Sequence, residues 1–259
     1  MPQVLAVAGK GGTGKTTLAA LVTTYLLRAG KTPVLAVDAD PNANLNEALG
    51  VEYDRTVVDT VEAVMGDGAA VPAGVAKRQL VEYQMHDALV ESRGFDLLVM
   101  GRTEGPGCYC HANDLLRGFL EKLSGGYAHV IMDNEAGLEH LSRRTTRNVD
   151  LLLIAANPTV TAVRSAGRIH QIARSLKLGI AQSYLVLNRL NGAAEPAVRG
   201  DALAAEVERL ASDGLPLLGE VPYDEQVLAH SMEARGVLEL PATSSAAVAV
   251  AAMMAAAGL

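Results

Sequence analysis

Gly9-Lys10-Gly11-Gly12-Thr13-Gly14-Lys15-Thr16 satisfies G-x-x-x-x-G-K-[ST]. This is the phosphate-binding loop. Its glycines let backbone N–H groups close around a polyphosphate, the second lysine reaches the β- and γ-phosphates, and the hydroxyl sits on Mg²⁺. The flanks fit. Gln3-Val4-Leu5-Ala6-Val7-Ala8 before the loop is the unbroken apolar run of a buried parallel strand. Thr17-Leu18-Ala19-Ala20-Leu21-Val22 after it opens a helix whose N-terminus faces the anion. Strand, loop and helix in that order are the context the motif requires. Gly9 through Thr17 are therefore read as binding nucleotide, with Lys15 also acting in catalysis.

The alternation continues along the chain. Apolar runs at Gln3–Ala8, Pro33–Asp38, Asp96–Met100, His129–Asp133, Leu151–Ala156, Ser183–Asn188 and Leu217–Glu220 read as strands. Helical patterns at Lys15–Ala29, Asn113–Leu123, Leu138–Arg147, Thr161–Leu176 and Asp201–Ser212 fall between most of them. Val57–Gln84 is less regular and reads as one or two peripheral helices. The expectation is an α/β fold: a single-domain P-loop NTPase over residues 1–259, with a mainly parallel sheet covered by helices on both faces.

Composition narrows the classes. Hydrophobic residues make up 49% and aromatics only 3%, so Ala, Val and Leu must build the core. A net charge of −7 argues against a protein whose main work is coating nucleic acid. The N-terminus enters a strand with no basic region or small-residue cleavage site, and no apolar run reaches membrane-spanning length. Two cysteines make a poor disulfide framework. A cytoplasmic protein binding neither nucleic acid nor membrane is expected.

In parallel sheets, ligands bind beyond the carboxyl ends of the strands, and the remaining informative residues all follow strands. Asp38-Ala39-Asp40-Pro41 puts two carboxylates two apart, one for the Mg²⁺ shell and one to orient a water. Asp133 ends the run Val130-Ile131-Met132, the position from which an aspartate binds Mg²⁺ directly or through water. Four residues on, Gly137 can turn its N–H toward the γ-phosphate. Asn188 ends another strand and offers one donor and one acceptor, which suits the adenine edge.

Gly105-Pro106-Gly107-Cys108-Tyr109-Cys110 follows the Asp96–Met100 strand in a glycine-rich loop. A C-x-C supplies two soft thiolates close together, too few for a closed four-ligand site. His111 is adjacent but would crowd Cys110, and reads as a helix-entry residue. Two-fold symmetry is the economical solution: two chains, two cysteines each, one metal.

The Lys10–Thr16 form of the loop, with its early second lysine, resembles the deviant Walker A motif of the family that includes MinD, ParA, the arsenite-pump ATPase and the nitrogenase iron protein. The resemblance implies ATP or ADP with Mg²⁺, and a catalytic Lys10 that reaches across a homodimer to the other subunit's nucleotide. It places Asp38 near the metal in switch I, Asp40 on the attacking water, Asp133 and Gly137 in switch II, and Asn188 with Arg189 at the adenine. It also brings the backbone at Pro222 to the purine. With Cys108 and Cys110 added, the chain resembles the CooC family, maturation ATPases for nickel carbon monoxide dehydrogenase. That resemblance implies nickel or zinc held across the dimer, and the dehydrogenase as acceptor.

Two other classes compete. A MinD- or ParA-like positioning ATPase would carry a basic lipid-binding helix or a basic face, but this chain has no Lys or Arg after Arg235. Arg143, Arg144 and Arg147 form its only tight basic cluster, read as a solvated helix face or partner contact. An iron–sulfur electron donor like the nitrogenase iron protein uses a cysteine shortly after switch II, and no Cys follows Asp133 here. Four thiolates from two C-x-C pairs could nevertheless hold a cluster.

Overall fold

Eight strands join in one sheet in a computed structural model that describes residues 2–65, 76–102, 118–119, 122–135, 148–175, 179–189 and 200–259. The strands are β1 (Gln3–Gly9), β2 (Val34–Ala39), β3 (Leu89–Glu91), β4 (Phe95–Val99), β5 (His129–Asn134), β6 (Asn148–Ala156), β7 (Gly179–Asn188) and β8 (Leu217–Val221), and their spatial order is β3-β4-β2-β5-β1-β6-β7-β8. All neighbours run parallel except β3, which pairs antiparallel with β4. The central strand β1 lies between β5 and β6, so the chain leaves it toward one side of the sheet and later fills the other.

The helices are α1 (Lys15–Arg28), α2 (Leu45–Leu49), α3 (Val57–Met65), α4 (Lys77–Met85), α5 (Val160–Ser175), α6 (Asp201–Ser212), α7 (Glu225–Met232) and α8 (Ser245–Ala256), with a short 3₁₀ turn at Val237–Glu239. Strand periodicity divides the core between the two faces. Leu5 and Val7 point to one face, where they meet Leu18 and Leu21 of α1 and Val250 and Met254 of α8. Ala6 and Ala8 point to the other, which also holds Val163, Ala166 and Ile169 of α5. Helices therefore cover both faces, as the alternating sequence implies.

Several differences have local causes. Strands β6 and β7 begin earlier than their apolar runs, at Asn148 and Gly179. Asp150 interrupts the first of these runs, but its carboxylate accepts the Val4 N–H at 2.7 Å and so belongs in the sheet. Strand β3 is too short to show a period, and it reaches the sheet through a turn at Gly94, whose φ is 89°. Helix α8 has no polar face to mark its period, since Ala, Val and Met supply nearly all of it. The expected peripheral helices are α3 and α4. Of the Asn113–Leu123 pattern, residues 118–119 and 122–123 are helical, while Leu138–Arg147 falls outside the described residues. Among the described residues no helix is long and apolar enough to cross a membrane.

The C-terminal segments are fastened to α1. The Tyr25 hydroxyl donates to the Leu259 carbonyl at 2.9 Å, and Arg28 donates to the carbonyls of Leu238 and Leu240. Asp224 joins two helix starts, accepting from the Gln226 N–H at 2.9 Å, the Ser244 hydroxyl at 2.6 Å and the Ala246 N–H at 3.0 Å. Burial alone would raise its pKa, but the Ala246 N–H, the Ser244 and Ser245 hydroxyls and the Gln226 N–H together lower it to about 2.

A depressed carboxylate pKa stabilises the fold above the unfolded value, and that stabilisation is lost as pH falls through the folded one. Asp224→Ala is expected to cost roughly 2 kcal/mol at neutral pH, a fall in melting temperature of about 4–8 °C. Urea unfolding of both chains at several pH values should show the difference constant above about pH 5 and shrinking to roughly half by about pH 3.

Candidate functional site

The phosphate loop leaves β1 through a turn that only glycine fits. Gly9 has φ 154°, and a Cβ there would lie 2.5 Å from the Ala155 carbonyl oxygen of β6 and 2.7 Å from Thr13 Oγ1. The loop then braces itself. The Thr13 hydroxyl and N–H both donate to the Lys10 carbonyl, at 2.8 and 3.3 Å. Gly14 precedes α1 with φ 76° and places no side-chain cap on the first-turn N–H groups. An uncapped helix start at the end of a buried strand is a ready anion site. Lys15 and Thr13 are buried, while Lys10 is exposed.

Two carboxylates lie beside this loop. Asp133 on β5 is in register with Asp38 on β2 and with Val7 on β1. Asp38 accepts from the N–H groups of Leu45 at 2.8 Å and Asp40 at 3.1 Å. Burial raises its pKa to about 6 against those bonds. Asp133 is 1% exposed, and neither of its carboxylate oxygens has a hydrogen-bond partner. Burial raises its pKa to about 7, and the charge of Asp38 adds to the shift. Lys15 opposes it, as does the Thr16 hydroxyl from a position short of a formed hydrogen bond.

Two orphaned, buried carboxylate oxygens beside a second carboxylate fit a divalent cation. Among the described residues no group of three or more His, Cys, Asp and Glu could hold a metal alone. Mg²⁺ binds through one or two carboxylates together with phosphate and water, and Asp38 and Asp133 supply two side by side. Asp40 stands at the rim, half-buried, with its Oδ1 accepting from the N–H and Nδ2 of Asn42, each at 2.9 Å.

On the other side of the loop, Asn188 ends β7 in register with Val221 of β8. Its Nδ2 donates to the Thr13 carbonyl at 2.9 Å and the Gly14 carbonyl at 3.3 Å. The donor assigned above to adenine is thus engaged by the loop. Arg189 pairs with Glu220 at 3.0 Å, and its N–H bonds the Val221 carbonyl at 2.9 Å, next to Pro222. A cavity of about 290 Å³ opens beside Thr16 and Thr17, walled by Glu47 and Ala48 of α2 and by Val227 and Ser231 of α7.

The edge therefore gathers the phosphate loop, Asp38, Asp40, Asp133, Asn188, Arg189 and Pro222. Gly137, Cys108 and Cys110 lie outside the described residues. Sequence reasoning missed Asn134, whose Nδ2 ties the end of β5 to the Val7 carbonyl at 3.0 Å. Only its place after Asp133 at a strand end could have marked it.

Residues 4–237 match the CobQ/CobB/MinD/ParA nucleotide binding domain. The chain belongs to that family. It is a P-loop ATPase. The uncharacterised ATP-binding protein MJ0685 of Methanocaldococcus jannaschii is 38% identical over 92% of this chain and 91% of its own. The carbon monoxide dehydrogenase accessory protein CooC of Rhodospirillum rubrum is 32% identical over 87% of this chain and 85% of its own. The septum site-determining protein MinD of Pyrococcus horikoshii, solved with Mg-ADP, superposes with a TM-score of 0.69 at 21% identity, over 98% of this chain and 94% of its own, and shares the fold.

A buried charge without a partner costs stability that a ligand can restore. Asp133→Asn should therefore stabilise the protein in chelator without nucleotide, by about 1–3 kcal/mol. The same variant should lose Mg-ATP turnover. Thermal melting in chelator, beside a phosphate-release assay, checks both halves.

Proposed function

We propose that this ATPase is a metal-delivery ATPase that helps load nickel into a carbon monoxide dehydrogenase. The observation that carries the reading is Gly107-Cys108-Tyr109-Cys110 in a chain 32% identical to CooC over 87% of its length. Nickel or zinc is the cargo. Two copies of the chain bring two cysteines each, and the thiolates bind the ion in their deprotonated form.

The nucleotide half works through residues on the same sheet edge. Gly9 to Thr17 hold ATP, with Lys15 on the β- and γ-phosphates. Thr16, Asp38 and Asp133 would hold Mg²⁺, which neutralises charge on the phosphates when bound. Asp40 orients the attacking water, and its half-buried setting at the rim beside the exposed Asn42 supports that role. Gly137 is assigned to the γ-phosphate by the family resemblance. The family resemblance assigns Asn188, Arg189 and the backbone at Pro222 to the purine, although the amide donor of Asn188 is engaged by the loop. The exposed Lys10 reaches the partner's nucleotide and acts as an arginine finger does, a contribution of about 10³–10⁵ in rate. ATP and metal thus draw the same two surfaces together, and hydrolysis loosens them so that metal passes to the acceptor.

A second reading, a positioning ATPase, is supported by the septum site-determining protein MinD of Bacillus subtilis, 29% identical over 88% of this chain and 78% of its own. Vesicle flotation and filter binding of duplex DNA at low salt separate the two readings. An iron–sulfur donor would show a visible absorption band after anaerobic purification.

Lys10→Ala should keep ATP binding and lose turnover, whereas Lys15→Ala should weaken binding itself. Full activity in Lys10→Ala removes the trans-lysine. Cys108→Ser with Cys110→Ser should abolish nickel and zinc binding and leave ATP binding nearly intact. Titration of the unaltered chain should approach one metal per dimer, linked to ATP by about 1–3 kcal/mol. One tight metal per monomer with no change in association state sinks the shared site.

A further inference from the structure

Asn188 comes from the far half of the sheet, yet its side chain is spent on the phosphate loop. It is 2% exposed, and its Nδ2 reaches two consecutive carbonyls, Thr13 at 2.9 Å and Gly14 at 3.3 Å. Two donated bonds use both hydrogens of the amide.

A trans peptide unit is planar, with its C=O and N–H pointing in opposite directions. Holding the Thr13 carbonyl therefore fixes where the Gly14 N–H points, and holding the Gly14 carbonyl fixes the Lys15 N–H. These are N–H groups of the loop closing and the helix start, where an anion is received. The Leu18 N–H shares the Gly14 carbonyl at 2.9 Å, so helix and asparagine grip the same oxygen. Gly14 is fitted to this arrangement twice. Its φ of 76° favours glycine, and a Cβ there would collide with Asn188 Nδ2.

We propose that Asn188 is a positioning residue for the phosphate loop and so carries affinity for the polyphosphate whatever base is attached. The proposal rests on the reading that this loop receives the phosphates of ATP. It differs from that reading in what Asn188 does. A reader of adenine acts on the base alone, whereas a brace of the loop acts on every ligand that carries the phosphates.

The probes are Mg-tripolyphosphate, which has no base, together with Mg-ATP and Mg-GTP. Binding to the full chain is measured by calorimetry for the unaltered protein, Asn188→Ala and Asn188→Asp, with the unliganded melting temperature of each. Asn188→Ala is expected to weaken tripolyphosphate and ATP by the same factor, about tenfold. Asn188→Asp, which turns a carboxylate toward two carbonyls, should lose more. The ATP-to-GTP preference should not move; the unliganded melting temperature should fall by a few degrees in Asn188→Ala and further in Asn188→Asp, whose carboxylate is buried without a donor, with both variants still folded at the binding temperature. Retained tripolyphosphate binding with weakened ATP makes Asn188 a base reader and overturns the proposal. A collapse of the ATP-to-GTP preference does the same. Losses that vanish once binding is measured at a lower temperature, where the variant is fully folded, assign the residue to the fold and also overturn it. If the unaltered chain binds neither ATP nor tripolyphosphate, the underlying reading has failed, which is distinct from a failure seen only in the variants.

Discussion

The register of three strands governs the site. Val7 of β1, Asp133 of β5 and Asp38 of β2 lie side by side across the sheet. That alignment puts both carboxylates at the strand ends beside the loop that follows β1. A slip of one residue would turn Asp133 to the opposite face, away from Thr16 and Lys15. Asn134 already faces that way, and its amide fastens β5 to β1 at the Val7 carbonyl. The alignment is therefore held by backbone pairing, by apolar packing on both faces and by a side-chain tie.

The cost of the arrangement is electrostatic. Asp133 is enclosed among Ile131, Val7 and the start of α1 with no donor for either oxygen. A protein selected for stability alone would place an apolar residue or a hydrogen-bonded amide there. Holding a charge in such surroundings makes sense when a cation and phosphates arrive together and complete it. The Asp38 bonds to the Leu45 and Asp40 N–H groups keep the neighbouring carboxylate in place meanwhile.

The phosphate loop, the seven parallel strands and helices α1, α5 and α6 are legible in the sequence because each is a local pattern. An unbroken apolar run, a glycine at a turn and a 3.6-residue period need no partner to be recognised. What resists reading depends on contacts distant in sequence. Strand β6 accepts Asp150 because the Val4 N–H is waiting for it. Helix α8 lacks a polar stripe, yet it packs its small side chains against α1 and Asp224 fixes its start. The donor of Asn188 suits an adenine edge by chemistry alone, and only the fold reveals that two carbonyls of the loop reach it first. The pairing of Arg189 with Glu220 on the next strand is equally invisible from spacing.

The fastening of α1 at its far end bears on how the molecule is made. The helix that begins at the phosphate loop has its other end closed by Tyr25 against Leu259 and by Arg28 against Leu238 and Leu240. During synthesis the chain emerges from its N-terminus at roughly 5–20 residues per second. The loop and α1 are thus exposed to the cell well before the segments that anchor them exist. A nascent chain can form the turn at Gly9, but its helix gains that support only once Leu259 has been added. The far end of α1 is therefore among the last parts of this fold to be secured.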